Sequence, residues 1–580
     1  MHRPLRDPSL PRATGPLALA LAASLLGACA TVPPPAVTLQ TAPAPVVTTT
    51  AVPSSTPAPS APSPAASSPV AEASPAVSYG AAVMARFPEP PVRYATPLFD
   101  SGRQTFTSQA ELQSQLRELV SLAQASPTRA QLLIPGVSQT GQPIEALLLA
   151  RQADLAPAAL RAAGRPTVLL VGQQHGDEPA GAEALLVVAR QLVQGALAPL
   201  LDRLNVIVLP RANPDGAQAG LRATASGIDA NRDHLLLRTP ETAAIAGLMR
   251  DYQPAVVVDA HEYPAVQPYL DKFGALARAD VLLQYATAAN VHEFVTRAAQ
   301  EWFRQPLLAS LQREGLSSDW YHTLSTAPDD RRVTMGGPRP GMGRNAAGLR
   351  HAISLLVETR GVGLGRTHLA RRVHTHVVAM TSVLGSAAAR AEDLAKLRRF
   401  VENETTTLAC SGEMVVEAAA TPSEYLLTLI DPASGADRSV SVAWESSLQL
   451  QVLTSRPRPC GYWLAAGERD AAMRLRGLGV AVQRIDETGV VRGETYRETS
   501  RAAVPDTPGA VLSQVELVPA LIDVVPGSWY VPLDQPLASL AIAALEPDTP
   551  GSYVANGVLS GVAAVSRVLA RPGFRTSPLP

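Results

Sequence analysis

Lysine is nearly missing from this chain. Two occur among 580 residues, Lys272 and Lys396, so arginine carries almost all of the positive charge. Neither lysine sits in a motif, which disfavours covalent catalysis through a lysine amine. Cysteine is scarce as well, with three residues in all, too few for the cysteine-rich ligand sets that close most structural zinc sites. The formal net charge of −1 gives no electrostatic footprint for nucleic acid. No period of 20–50 residues recurs, which excludes a repeat architecture. What is present suits a globular protein: 46% hydrophobic and 17% charged residues, on a chain long enough for two or more domains and a sizeable core.

The N-terminus is punctuated by Arg3, Arg6 and Arg12, followed by the apolar run GPLALALAASLLGA. That run is short for a spanning helix and reads as a signal peptide over residues 1–28. It ends in Leu26-Gly27-Ala28-Cys29, which resembles the lipobox of bacterial lipoproteins. The resemblance implies lipidation at Cys29, export, and an anchor in the cell envelope. Ala30, in place of an aspartate, leans the expectation toward the outer membrane, facing the periplasm. Residues 29–85 are rich in Pro, Ala, Ser and Thr, with Glu72 the one charge between 30 and 80, and are expected to form a disordered, proline-stiffened linker. With Cys29 assigned, Cys410 and Cys460 remain; sequence does not fix their separation, so their pairing stays open.

Packed structure is expected to begin near Phe106. Leucines at 112, 116, 119 and 122 have helical spacing, with Thr107 and Glu111 near the start. QLLIPGVSQTGQPIEALLLAR reads as two strands about a turn. PTVLLVGQQ (166–174), NVIVLP (205–210) and AVVVDA (255–260) read as buried strands, and GAEALLVVARQLV as a helix. Apolar strands alternating with helices predict an α/β fold: a mixed, largely parallel, doubly wound sheet with helices on both faces, here over 86–395. Beyond residue 400 the texture becomes strand-like between Pro, Gly and Asp turns, with one helix at AAMRLRGLGV. Residues 400–580 are therefore expected to form a smaller, β-rich accessory domain.

Three polar segments follow the buried strands, where open α/β sheets collect function: His175 and Glu178, then Asn213-Pro214-Asp215, then His261 and Glu262. An isolated His-x-x-Glu serves equally as a helix cap and a surface charge. Adding His261 gives two imidazoles and a carboxylate, a catalytic zinc set with a position left open. Glu358 follows the apolar run Ile353 to Val357, where an unpaired charge is costly, which favours a functional role. Arg222, Asn231 and Arg232 read equally as loop residues or as site residues. His292, His351, His368, His374 and His376 read as packing or helix-surface residues.

These residues together resemble the M14 family of zinc carboxypeptidases, from about Phe106 to Leu384. The likeness rests on GVSQTGQPIEALLLA, HGDE, NPDG, SGIDANRD, VVVDAHEY and LLVETRG, present in the family's order. It implies that one Zn²⁺ is held by His175, Glu178 and His261. Glu358 would be the general base toward the activated water and then the proton donor to the leaving amine. Asn231 and Arg232 would bind the substrate's terminal carboxylate, Arg222 would stabilise the oxyanion, and Asp229 would orient His175. The family's substrate-contacting tyrosine has no clear counterpart; Tyr321, in SSDWYHT, is the candidate. Ser318 and Asp319 in the same stretch would face the substrate side chain. Asp177 stands where the digestive enzymes carry arginine, a charge that would weaken binding of an extended anionic substrate.

The expected function is a zinc-dependent carboxypeptidase of the cell envelope acting on peptides, including peptidoglycan stem peptides. Two competitors stand beside it. One is an amidase or deacylase of the aspartoacylase-like branch, with the same metal set and small N-acyl amino acids. The other is a non-catalytic lipoprotein that binds cell-wall fragments. Oligomeric state is not legible.

Overall fold

Successive side chains of a strand point to opposite faces, and the central strands here are apolar on both. Val168 and Leu170 enter one core cluster, whereas Leu169 and Val171 enter another. A strand so placed is covered by helices on each side. The structure is a computed structural model that describes residues 80–325, 327, 329–504, 507 and 509–579. The expected signal peptide, Cys29 and nearly all of the linker lie outside the described residues.

In chain order the first eleven strands are β1 (Arg129–Val137), β2 (Pro143–Ala150), β3 (Thr167–Gly172), β4 (Asn205–Leu209), β5 (Val256–Pro264), β6 (Leu276–Ala277), β7 (Val281–Tyr285), β8 (Ser318–Trp320), β9 (Thr323–Leu324), β10 (Val333–Thr334) and β11 (Ile353–Val362). One eight-stranded sheet runs in the order β1-β2-β4-β3-β5-β11-β7-β8. Its middle is parallel: β4 with β3, β3 with β5, and β5 with β11. Antiparallel pairings bring in β1, β2 and β7. Helices Gln109–Ala123, Pro179–Gln194 and Leu369–Ala389 cover one face, and Pro240–Tyr252 covers the other. This is the mixed α/β architecture expected from sequence.

Three boundaries differ from expectation. Packing begins before Phe106: Val83 and Phe87 are buried with Leu364 and Ile430, and Leu98 joins the main core. The last linker residues include a helical turn, Ala81–Met84. Helix Gln109–Ala123 is capped by Ser108. The Ser108 hydroxyl accepts from Glu111 N while the Glu111 carboxylate accepts from Ser108 N, a reciprocal cap that satisfies two otherwise unpaired donors. Finally, the expected division at 395–400 falls inside a continuous helix, Ala391–Thr407.

The C-terminal region is β-rich but interlocked with the rest. Strands β12 (Glu413–Ile430) and β13 (Asp437–Pro457) form a long hairpin at the centre of a five-stranded sheet, β6-β12-β13-β10-β9. A seven-stranded sheet occupies the remainder of the chain, with helices Arg469–Gly477 and Ala538–Leu545. Its core joins Leu235, Leu236 and Ala246 to Tyr462, Leu475 and Leu540. Cys410 and Cys460, left open by the sequence, are disulfide-bonded. No helix among the described residues is long and apolar enough to cross a membrane.

Candidate metal centre and active site

The site forms where β3, β5 and β11 end side by side. Beyond Gly172 the chain turns sharply: Gln173 adopts a left-handed φ of 49°, which costs a non-glycine residue about 1–2 kcal/mol. Its side chain is held at both ends, by Arg211 Nε (2.7 Å) and by Gly176 O (2.9 Å). A β-carbon on Gly176 would lie 1.9 Å from the backbone of Gly216, so only glycine fits between His175 and Asp177. The facing loop is braced in turn. Asn213 Oδ1 caps the short helix Pro214–Ala219 by accepting from Gly216 N. The Asp215 carboxylate accepts from Ser138 and Thr140 in the turn between β1 and β2. The NPDG and GVSQTGQ segments thus shape the site without reaching its centre.

His175, Glu178 and His261 are all buried, and their ligand atoms lie within 4.8 Å of one another. Glu178 Oε1 is 2.7 Å from His175 Nδ1, its Oε2 is 2.8 Å from His261 Nδ1, and the two Nδ1 atoms are 3.1 Å apart. The outer nitrogens face carboxylates: His175 Nε2 lies 3.0 Å from Asp229 Oδ1, and His261 Nε2 lies 3.0 Å from Asp259 Oδ1. Such partners hold the proton on Nε2 and leave the Nδ1 lone pair for a metal. Two imidazoles and one carboxylate converging in this way match a divalent zinc with an open position. Burial raises the Glu178 carboxyl, but the two imidazoles outweigh it and hold the group below its ordinary value.

Glu358 on β11 is in register with His261 on β5. Burial raises its carboxyl to about 7, opposed by the neighbouring imidazoles and Arg222. Arg222 pairs with Asp229 (Nη2–Oδ2, 3.0 Å) and approaches Glu178 Oε1 at 3.4 Å. Burial also pushes the Asp229 carboxyl up, yet the His175 hydrogen bond and the charges of His175, Arg222 and Arg232 keep it well below its usual range. Arg222, Arg232, Tyr321 and Glu358 line one cavity of about 620 Å³. Burial and the nearby Glu358 charge push the Tyr321 phenol up to about 12, so it stays a hydroxyl donor at neutral pH.

Three expected substrate contacts are not brought to this cavity. Asn231 is buried; its Oδ1 accepts from Gly343 N at 2.7 Å, and its Nδ2 lies 3.0 Å from His261 Nε2. The amide therefore packs behind the metal ligands, leaving Arg232 as the cavity-facing member of the pair. Ser318 and Asp319 lie on β8 outside the cavity lining, and Asp319 Oδ1 is taken by Tyr425 OH (2.6 Å) and Trp320 N (2.7 Å). Asp177 is half-buried with Oδ1 unpaired, and burial followed by Glu178 raises its carboxyl. Asp259 was not singled out from the sequence, nor was Gln174, which donates to Asp259 Oδ1 at 2.6 Å and accepts from His234 Nε2 at 2.7 Å. The period of two along β5 was the available signal, since it sets Asp259 and His261 on one face.

A mixed α/β sheet with a His-Glu-His cluster at its strand ends, beside a buried glutamate and two arginines, defines a metallopeptidase. The family model for zinc carboxypeptidases matches residues 116–273. Carboxypeptidase 2 of Trichophyton rubrum is 30% identical over 403 residues, covering 68% of this chain and 74% of that protein. Carboxypeptidase 2 of Trichophyton equinum is 28% identical over 403 residues, with the same shares covered. Among solved structures, the carboxypeptidase A of Helicoverpa armigera aligns with a TM-score of 0.38 and 16% identity, over 50% of this chain and 75% of that one. The chain belongs to the zinc carboxypeptidase family.

Proposed function

We propose that this protein removes C-terminal residues from peptides in the bacterial cell envelope, with one zinc ion held by His175, Glu178 and His261. When bound, zinc supplies Lewis-acid polarisation of the scissile carbonyl and acidifies the attacking water. Glu358 takes a proton from that water and returns it to the leaving amine nitrogen. Arg232 receives the terminal carboxylate of the substrate in the planar, two-pronged manner open to a guanidinium. Arg222, kept cationic by Asp229 and Glu178, faces the developing oxyanion. Asp229 fixes the His175 ring.

The observation that carries this reading is the strand register placing Glu358 opposite His261, with both arginines and Glu358 on the lining of one cavity. The names of the relatives support release of a C-terminal residue. Export, lipidation at Cys29, an outer-membrane position and peptidoglycan stem peptides as substrates rest on the N-terminal sequence. The test is hydrolysis by the purified, zinc-replete protein of peptides with a free or an amidated C-terminus. Chelator-sensitive release from the free form alone is expected; equal release from both, or from neither, overturns the reading. Glu358→Gln is expected to keep its zinc and lose about 10²–10⁴-fold in turnover, and unchanged turnover would remove Glu358 from the mechanism.

A further inference from the structure

The cavity has two walls. One begins at Tyr263, two residues beyond His261, and continues along the helix Gln267–Phe273 as far as Lys272. The other is the stretch from Tyr321 to Ser325, which includes β9. Each wall leads into a strand of the same five-stranded sheet, and the two strands occupy opposite edges. β6 follows the helical wall and pairs with β12, Ala277 opposite Leu429. β9 belongs to the second wall and pairs with β10, which pairs with β13, Val333 opposite Trp444. The hairpin of β12 and β13 therefore lies between the supports of the two walls.

Side chains extend this frame to the cavity surface. Tyr425 on β12 donates its hydroxyl to Asp319 Oδ1 at 2.6 Å, two residues before Tyr321. Trp444 on β13 stacks on Tyr425, with ring centroids 4.4 Å apart, and packs against His322 at 5.5 Å. His322 Nδ1 lies 2.8 Å from Trp320 O and donates to it, so its Nε2 accepts the Tyr269 hydroxyl at 2.8 Å. That last bond joins the two walls directly.

We propose that Tyr425 and Trp444 are positioning residues that set the spacing of the two walls and, through it, the affinity for a peptide lying along them. This rests on the carboxypeptidase reading above. A seven-residue helix is about 10 Å long, the reach of roughly three residues of extended peptide. The wall thus has the length to lie along several residues of a peptide, more than an N-acyl amino acid offers. The C-terminal region of the chain is then part of the substrate site.

Binding measured calorimetrically in the Glu358→Gln background separates affinity from turnover. Tyr425→Phe is expected to weaken binding of an N-blocked tetrapeptide about three- to tenfold, the size of a typical single hydrogen bond, with N-acetyl amino acid affinity changed less than about twofold. Trp444→Leu should weaken the tetrapeptide further, and Trp444→Phe, which keeps a stacking ring, should restore it. Leu426→Ser, on an exposed side chain of the same hairpin, should leave both ligands unaffected. In the active enzyme the Tyr425→Phe effect should appear in KM and not in kcat, at unchanged zinc content. Equal loss for both ligands, no loss for either, no measurable tetrapeptide binding, or a fall in kcat at constant KM overturns the proposal. If the wild type releases no C-terminal residue, yet tetrapeptide binding still depends on Tyr425, the wall assignment stands and the carboxypeptidase reading fails.

Discussion

His175 and His261 each face a carboxylate through the nitrogen turned away from Glu178, and this fixes which nitrogen is left for zinc. Asp259→Asn removes the charge behind His261 and is expected to lower zinc affinity about 10–100-fold, read by competition against a chelator of known affinity; unchanged affinity would show that the carboxylate is not needed to hold the ring. The ligand triad was legible because its residue types are chemically rare together, two imidazoles and a carboxylate at strand ends. Asp259 was less legible, since an aspartate in a strand becomes informative only once the partner on its own face is recognised as a ligand. Asn231 was read as a substrate contact because the sequence cannot say which way a side chain turns, and Gly343, 112 residues away, turns it inward. A buried imidazole elsewhere in the fold acts on stability. Burial pushes the His368 imidazole down to about 4, assisted by the charges of Arg360, Arg371 and Arg372. Between its ordinary value of 6.5 and about 4, the unfolded chain binds a proton that the folded chain refuses, so stability falls as pH drops through that window. With chelator present, so that metal loss does not contribute, His368→Asn should flatten the change in urea midpoint between pH 7 and pH 4.5; an unchanged slope would refute the assignment.

Turns and strand ends decide where the ligands sit. The segment between β3 and the helix Pro179–Gln194 must leave the sheet, deliver His175 and Glu178, and pass within contact of Gly216. Gly176→Ala places a methyl group inside that contact, which forces the backbone apart and separates His175 from Glu178. The expected result is loss of stoichiometric zinc together with a lower melting temperature, from a destabilisation larger than the roughly 1 kcal/mol of an average substitution; full zinc occupancy would mean that the loop yields without moving its ligands. Elements of this kind were readable to different depths. β3, β5 and β11 announced themselves through continuous apolar runs, as strands buried on both faces do. The hairpin β12–β13 did not, because its burial alternates irregularly along 18 and 21 residues and much of its surface is exposed. Strand-like segments were visible there, but their pairing with β6 and β10 depends on contacts between distant parts of the chain, which no local pattern encodes.

At the scale of the whole molecule, the sequence changes texture near residue 400, and the β-rich region beyond it packs closely on the part before it. The helix Ala391–Thr407 runs through the expected boundary, and the disulfide from Cys410 to Cys460 links the segment just beyond it to the start of the last sheet. Leu427, Leu429, Val442 and Trp444 are buried against Tyr263, Tyr269, Phe273 and Val333, while Ile430 closes over Val83 and Phe87. A fully buried apolar side chain contributes about 1.5–3 kcal/mol. Five of them reach about 7–15 kcal/mol as an upper estimate, the size of a domain's entire stability. The same cut exposes Leu235, Leu236 and Leu349, which pack on the last sheet. A chain ending at residue 399 should therefore fail to give a soluble monomer by size-exclusion chromatography, and should form aggregates through its uncovered apolar surface. A monomeric truncated protein that holds zinc and hydrolyses peptides at the full-length rate would show that the peptidase half folds alone. It would also show that the hairpin is dispensable to the cavity it borders.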